Sequence, residues 1–121
     1  MIIAIDFDGC ICADGFWPRV PPSPKWNARE TILALKRLKH YIIINTCRCG
    51  VPLENAVNFL DKQGIPYDDI NNNNPEAVDK YLANPRKIHA DIYIDDKDVF
   101  APRPFSWYKM LDKITLIEES P

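Results

Sequence analysis

Two aspartates one residue apart close an apolar run at the start of the chain, in "MIIAIDFDGC". Burying an ionised carboxylate is costly unless a cation or hydrogen-bond donors compensate it. Asp6 and Asp8 therefore call for a metal, a reaction or solvent. A second acidic pair, Asp95 and Asp96, closes "ADIYIDD". Carboxylates from two separate segments can hold a hard divalent cation, and magnesium takes a few oxygen ligands while keeping waters and phosphate oxygens. With that charge neutralised, one aspartate can attack phosphorus and another, two residues on, can donate and later accept a proton. A hydroxyl and an ammonium group must then hold the phosphoryl oxygens, and Thr46 and Lys87 meet that need.

These residues are useful only if the fold gathers them. Met1 to Phe7 is isoleucine-rich without helical periodicity, as in a strand buried on both faces of a parallel sheet. The stretch "CADGFWPRVPPSPKWN" has prolines at 18, 21, 22 and 24 and must be an irregular loop. Asn27 as N-cap, Glu30 in a capping box and an apolar stripe of Ile32, Leu33, Leu35 and Leu38 predict a helix over about 28–39. "YIIIN" (41–45) reads as a second buried strand ending just before Thr46. A helix with Pro52 in its first turn and a stop at Gly64 follows, burying Ala56, Val57, Phe59 and Leu60. "IPYDDI" predicts a short strand, "NNNN" a loop without chemistry, "PEAVDKYL" a short helix started by Asn74 and Pro75 and "ADIYIDD" another strand. "FSWYKMLDKI" predicts the last helix, and "TLIE" an added edge strand. The alternation implies an α/β three-layer sandwich on a mostly parallel, Rossmann-like sheet. Such sheets bind ligands beyond the carboxyl ends of their strands, where Asp6, Asp8, Thr46, Asp95 and Asp96 all fall.

In this arrangement the chain resembles the haloacid dehalogenase-like hydrolases, most of which are magnesium-dependent phosphatases. "DFDGC" is similar to that family's first motif, "IIINT" to its second and "IYIDD" to its fourth, and Lys87 in "RKIHAD" is the best match to the lysine of the third, with Lys80 and Arg86 as neighbouring competitors. The resemblance implies that Asp6 is the nucleophile that becomes an aspartyl phosphate and Asp8 the general acid/base. It implies magnesium held by Asp6, the backbone carbonyl of Asp8 and Asp95, with Asp96 assisting through water or outer contacts. The chain leaves no room for the cap domain that many relatives insert, so a single compact, capless domain over 1–121 is expected, acting on a phosphorylated small molecule or an exposed phosphoester. Gly9 lets the backbone turn beneath the aspartates and is counted with Arg48, Trp17 and Arg19 among substrate-binding positions. Phe16, Trp17, Arg19 and Trp26 form either a partial lid or a surface packed on its own prolines.

Composition narrows the partners. At 121 residues and a formal net charge of −2, the chain lacks the basic footprint of a generic nucleic-acid binder. "MIIAI" is too short and lacks the basic flank of a signal peptide, and no stretch approaches the ~20 apolar residues of a membrane span, so a cytoplasmic protein is expected, with a homo-oligomer as a further option. The four cysteines, Cys10, Cys12, Cys47 and Cys49, are free by default in such a compartment. Cys10 replaces the usual threonine or valine of the first motif and can pack as a small apolar group. Two other readings stand beside the phosphatase: a non-catalytic phosphate or nucleotide binder, and a thiolate metal or redox site, whose single-residue spacers are tight for structural zinc.

Overall fold

The structure, a computed structural model, describes residues 1–13 and 22–120. The elements run β1 (Ile2–Asp6), α1 (Ala28–Arg37), β2 (Tyr41–Asn45), α2 (Gly50–Gln63), β3 (Asp69–Ile70), α3 (Pro75–Tyr81), β4 (Ile92–Ile94) and α4 (Met110–Glu119). The strands form one sheet in the order β3-β2-β1-β4, every pairing parallel. This is the α/β, Rossmann-like arrangement expected from the alternation of strand and helix. The register aligns Asp6 with Asn45 and Ile5 with Ile94, so β1, β2 and β4 end level and the residues after them share one rim.

Strand pleating divides the isoleucines between two cores. Ile3, Ile5, Ile42, Ile44 and Ile94 face one way and pack with Ile32 and Leu35 of α1, Phe59 and Leu60 of α2 and Ile114 of α4. Ala4 and Ile43 face the other way, against Ile88. The return from β3 to β4 crosses back over β2 and β1, and a right-handed crossover places it on this second face. The central strands are thus covered on both sides, which explains why their sequences are continuously apolar rather than alternating.

Three local expectations change. Asn27 precedes α1, but its backbone is left-handed (φ 66°) and its side chain makes no capping bond. A capping box needs an extended N-cap, so Glu30 is left to favour the helix start by its charge alone. The last helix begins at Met110 rather than near Phe105, and "TLIE" continues it instead of forming an edge strand. The reason is Trp107: it is buried, stacks edge-on with Phe105 at 5.5 Å and donates its indole N–H to the Cys10 carbonyl at 2.6 Å. That anchor consumes residues 105–109 as connection. Thr115 then donates its hydroxyl to the Leu111 carbonyl at 2.9 Å, as a helical residue does.

Among the described residues, no helix is long and apolar enough to cross a membrane.

Candidate functional site

Immediately after β1 the chain folds tightly on itself. The amides of Ile11 and Cys12 both donate to the Phe7 carbonyl, and Gly9 N–H donates to the Cys12 carbonyl. Gly9 adopts φ +89°, a conformation open to glycine and strained for other residues. This turn brings Cys10 Sγ to 4.0 Å from the Ile94 carbonyl at the end of β4. The carboxylates of Asp6 and Asp96 and the sulfur of Cys10 lie within 4.8 Å of one another.

Such crowding has an electrostatic consequence. Burial raises the Asp6 carboxyl from 3.8 to about 7, helped by the charge of Asp95, a hydrogen bond to Asp96 and the charges of Asp96 and Asp8. Burial and the same carboxylates push the Cys10 thiol upward as well, so near neutral pH its sulfur is a protonated thiol. Asp96 Oδ1 is buried with no hydrogen-bond partner. An orphaned carboxylate oxygen beside a second carboxylate answers to a cation, and hard oxygen donors suit magnesium better than a neutral thiol does. The acidic residues present therefore fit that ion. Asp96 stands in the close cluster, whereas Asp95 turns Oδ1 toward the Lys97 amide at 2.9 Å and acts on Asp6 through its charge.

The other sequence candidates fall in two groups. Thr46 follows β2, its amide donating to Asn71 Oδ1 at 2.8 Å and its Oγ1 accepting from the Arg48 amide at 3.1 Å. Arg48 reaches the rim, its Nε and Nη2 donating to Asp8 Oδ2 and Oδ1 at 2.9 and 2.7 Å. Lys87 is exposed, with its ammonium 5.8 Å above the Tyr93 ring. Among the described residues, the cation paired with a rim carboxylate is Arg48 rather than Lys87. Trp17, Arg19 and Phe16 lie outside the described residues, and Trp26 is exposed. Cys10 and Cys12 are buried and Cys47 and Cys49 exposed, and among the described residues no disulfide joins them.

The asparagine run carries more than a featureless loop would. Asn71 takes a left-handed backbone (φ 55°) while holding Thr46. Asn73 is buried, donates to Asn84 Oδ1 at 3.0 Å and the Pro85 carbonyl at 3.1 Å, and accepts from the His89 amide at 2.6 Å. It thereby ties down the segment carrying Lys87. Asn74 caps α3 by accepting from the Glu76 amide, as its position before Pro75 implied. Asparagine's tolerance of left-handed backbone was the available signal for Asn71, but the long-range partners of Asn73 have no local signature. Asn73→Ala should cost about 2 kcal/mol by stranding buried polar groups, and Asn72→Ala, at an exposed site, less than about 0.5 kcal/mol. Urea unfolding of the two variants checks this contrast.

The fold and rim define a Rossmann-like parallel α/β domain with an acidic cluster beyond the strand ends. A solved structure, described as a conserved protein coded by a locus of Bacteroides thetaiotaomicron, matches it with a TM-score of 0.79 and 30% sequence identity, covering 100% of this chain and 93% of the other. The chain belongs to one family with that conserved protein. No family model matches the sequence, and no curated protein does.

Proposed function

We propose that the protein is a magnesium-dependent phosphohydrolase of the haloacid dehalogenase-like type. The observation that carries this reading is the juxtaposition of Asp6 with Asp96, whose buried Oδ1 has no partner, at the rim of a parallel sheet. Asp6, Asp96, Asp95 and the backbone carbonyl of Asp8 are the groups that would hold magnesium. When bound, that ion neutralises carboxylate and phosphoryl charge and lets Asp6 ionise.

The residues divide the work as follows. An Asp6 carboxylate oxygen attacks the phosphorus of a phosphate monoester, and the bond to the leaving oxygen breaks as Asp8 protonates it. Asp8, now ionised, takes a proton from a water whose oxygen attacks the phosphorus of the aspartyl phosphate, freeing phosphate and restoring Asp6. Thr46, placed by Asn71, offers its hydroxyl to the phosphoryl group. Lys87 supplies an ammonium, leaving its seat over Tyr93 to do so. Four cysteines with no disulfide among them fit a reducing cytoplasm.

A panel of phosphate monoesters assayed with magnesium and with excess chelator tests the reading. Phosphate release should appear with at least one ester and fall to background on chelation. Ligand binding without hydrolysis across the panel would instead identify a phosphate binder.

A further inference from the structure

Arg48 occupies Asp8 completely. Its Nε and Nη2 hold both carboxylate oxygens, and this bidentate geometry is the strong form of an ion pair. Two further contacts fix the guanidinium independently of Asp8: Nη1 donates to the Pro52 carbonyl at 3.1 Å, and Cζ sits 4.9 Å from the Phe7 ring centroid. The Arg48 side chain is only 11% exposed. Its amide is bound to Thr46 Oγ1, so the fork shares the short loop after β2 with the hydroxyl assigned to the phosphoryl group. The outcome is an anion receiver, anchored from behind, whose present occupant is an anion of the same chain.

This occupancy conflicts with the work assigned to Asp8. A carboxylate with both oxygens held by one guanidinium has neither free to meet a leaving oxygen or a water. We propose that Arg48 is a substrate-displaced clamp: a phosphate monoester takes the guanidinium fork with two unesterified oxygens and releases the Asp8 carboxylate, which takes up a proton from solvent and then delivers it to the leaving oxygen. The inference rests on the phosphohydrolase reading and deepens it by naming what the substrate must present. One charge-assisted bidentate pair is exchanged for another, so release is not opposed by the loss of an unreplaced ion pair. A monoester keeps a third unesterified oxygen for Thr46 and Lys87 after filling the fork, whereas a diester has only two in all. The clamp therefore favours terminal phosphate.

Titration calorimetry with inorganic phosphate and magnesium tests the exchange directly. Asp8→Asn removes the internal competitor and should bind phosphate roughly tenfold more tightly than the wild type, while Arg48→Ala should bind at least roughly tenfold more weakly. In the double variant the gain from Asp8→Asn should vanish. Arg48→Lys, which keeps the charge but not the fork, should restore only part of the affinity and raise KM for p-nitrophenyl phosphate more than it lowers kcat. If Arg48→Ala does not fold, Arg48→Gln takes its place in the cycle. An unchanged affinity in Asp8→Asn, or a gain that persists without Arg48, overturns the clamp and leaves the phosphohydrolase standing if the wild type hydrolyses an ester. A wild type that neither binds phosphate nor hydrolyses any ester overturns both.

Discussion

Asp6→Asn is expected to abolish magnesium-dependent phosphate release, a fall on the order of 10⁴-fold, and at the same time to stabilise the metal-free protein at pH 8. The first effect follows from the proposed chemistry, since a carboxamide has no anionic oxygen to attack phosphorus. The second follows from the cluster itself. Burial and neighbouring carboxylates raise the folded-state Asp6 carboxyl from 3.8 to about 7. Between those values the folded protein retains a proton that the unfolded chain has released. Stability contributed by the neutral form is thus lost as pH rises through that interval, and above about 7 the whole penalty is present.

Asparagine is neutral at every pH and can donate to Asp96, so it escapes the penalty. With solvent screening at a half-buried site, the gain at pH 8 should be about 2 kcal/mol, or roughly 8 °C in Tm. It should shrink as pH falls below 7 and disappear near pH 4. Thermal melts of both proteins across pH 4–9 in chelator provide the check, and a Tm difference that does not vary with pH would refute the electrostatic account. Retained turnover in pure Asp6→Asn protein would remove Asp6 as nucleophile. Magnesium should raise the wild-type Tm at pH 8 more than that of Asp6→Asn, because it relieves the same repulsion.

Gly9→Ala should be the most damaging single-methyl change at the rim. At φ +89° any side chain is strained, and the added Cβ would lie 2.6 Å from Asp96 Cγ, far inside van der Waals contact. Either the 7–12 turn opens or Asp96 leaves the cluster. Together, strain and overlap should cost about 3 kcal/mol in urea unfolding. Under the proposed function, magnesium-dependent turnover should drop by at least roughly tenfold, because Asp96 could no longer share a cation with Asp6. Gly50 is the control: it also has positive φ, 56°, but a Cβ there would meet nothing within 4 Å. Gly50→Ala should therefore cost about 1 kcal/mol from backbone strain and leave turnover nearly unchanged.

Much of the architecture was legible because its causes are local. Continuous isoleucine runs mark strands covered on both faces, and 41–45 agrees residue for residue with β2. Proline at the first position of α3 and glycine after α2 mark helix ends through backbone chemistry alone. The last helix was displaced because Trp107 answers to the Cys10 carbonyl, a partner 97 residues away. No window of sequence contains that bond. Residue type alone marks Asn27 as a side-chain cap, but capping also depends on a backbone angle that its neighbours set.

The site divides along the same line. Residue types, order and placement after strands marked Asp6, Asp8, Thr46, Asp95 and Asp96 as rim positions, because in a parallel sheet every strand delivers its carboxyl end to the same side. The rank of Asp96 over Asp95 in the close cluster, the approach of Cys10, and the pairing of Arg48 with Asp8 instead of an approach by Lys87 depend on distances between segments far apart in sequence. Periodicity and turn chemistry act over a few residues and so are written in the chain. Which carboxylate is buried beside which, and which cation reaches it, is set only when β1, β2 and β4 close into one sheet and bring their loops together.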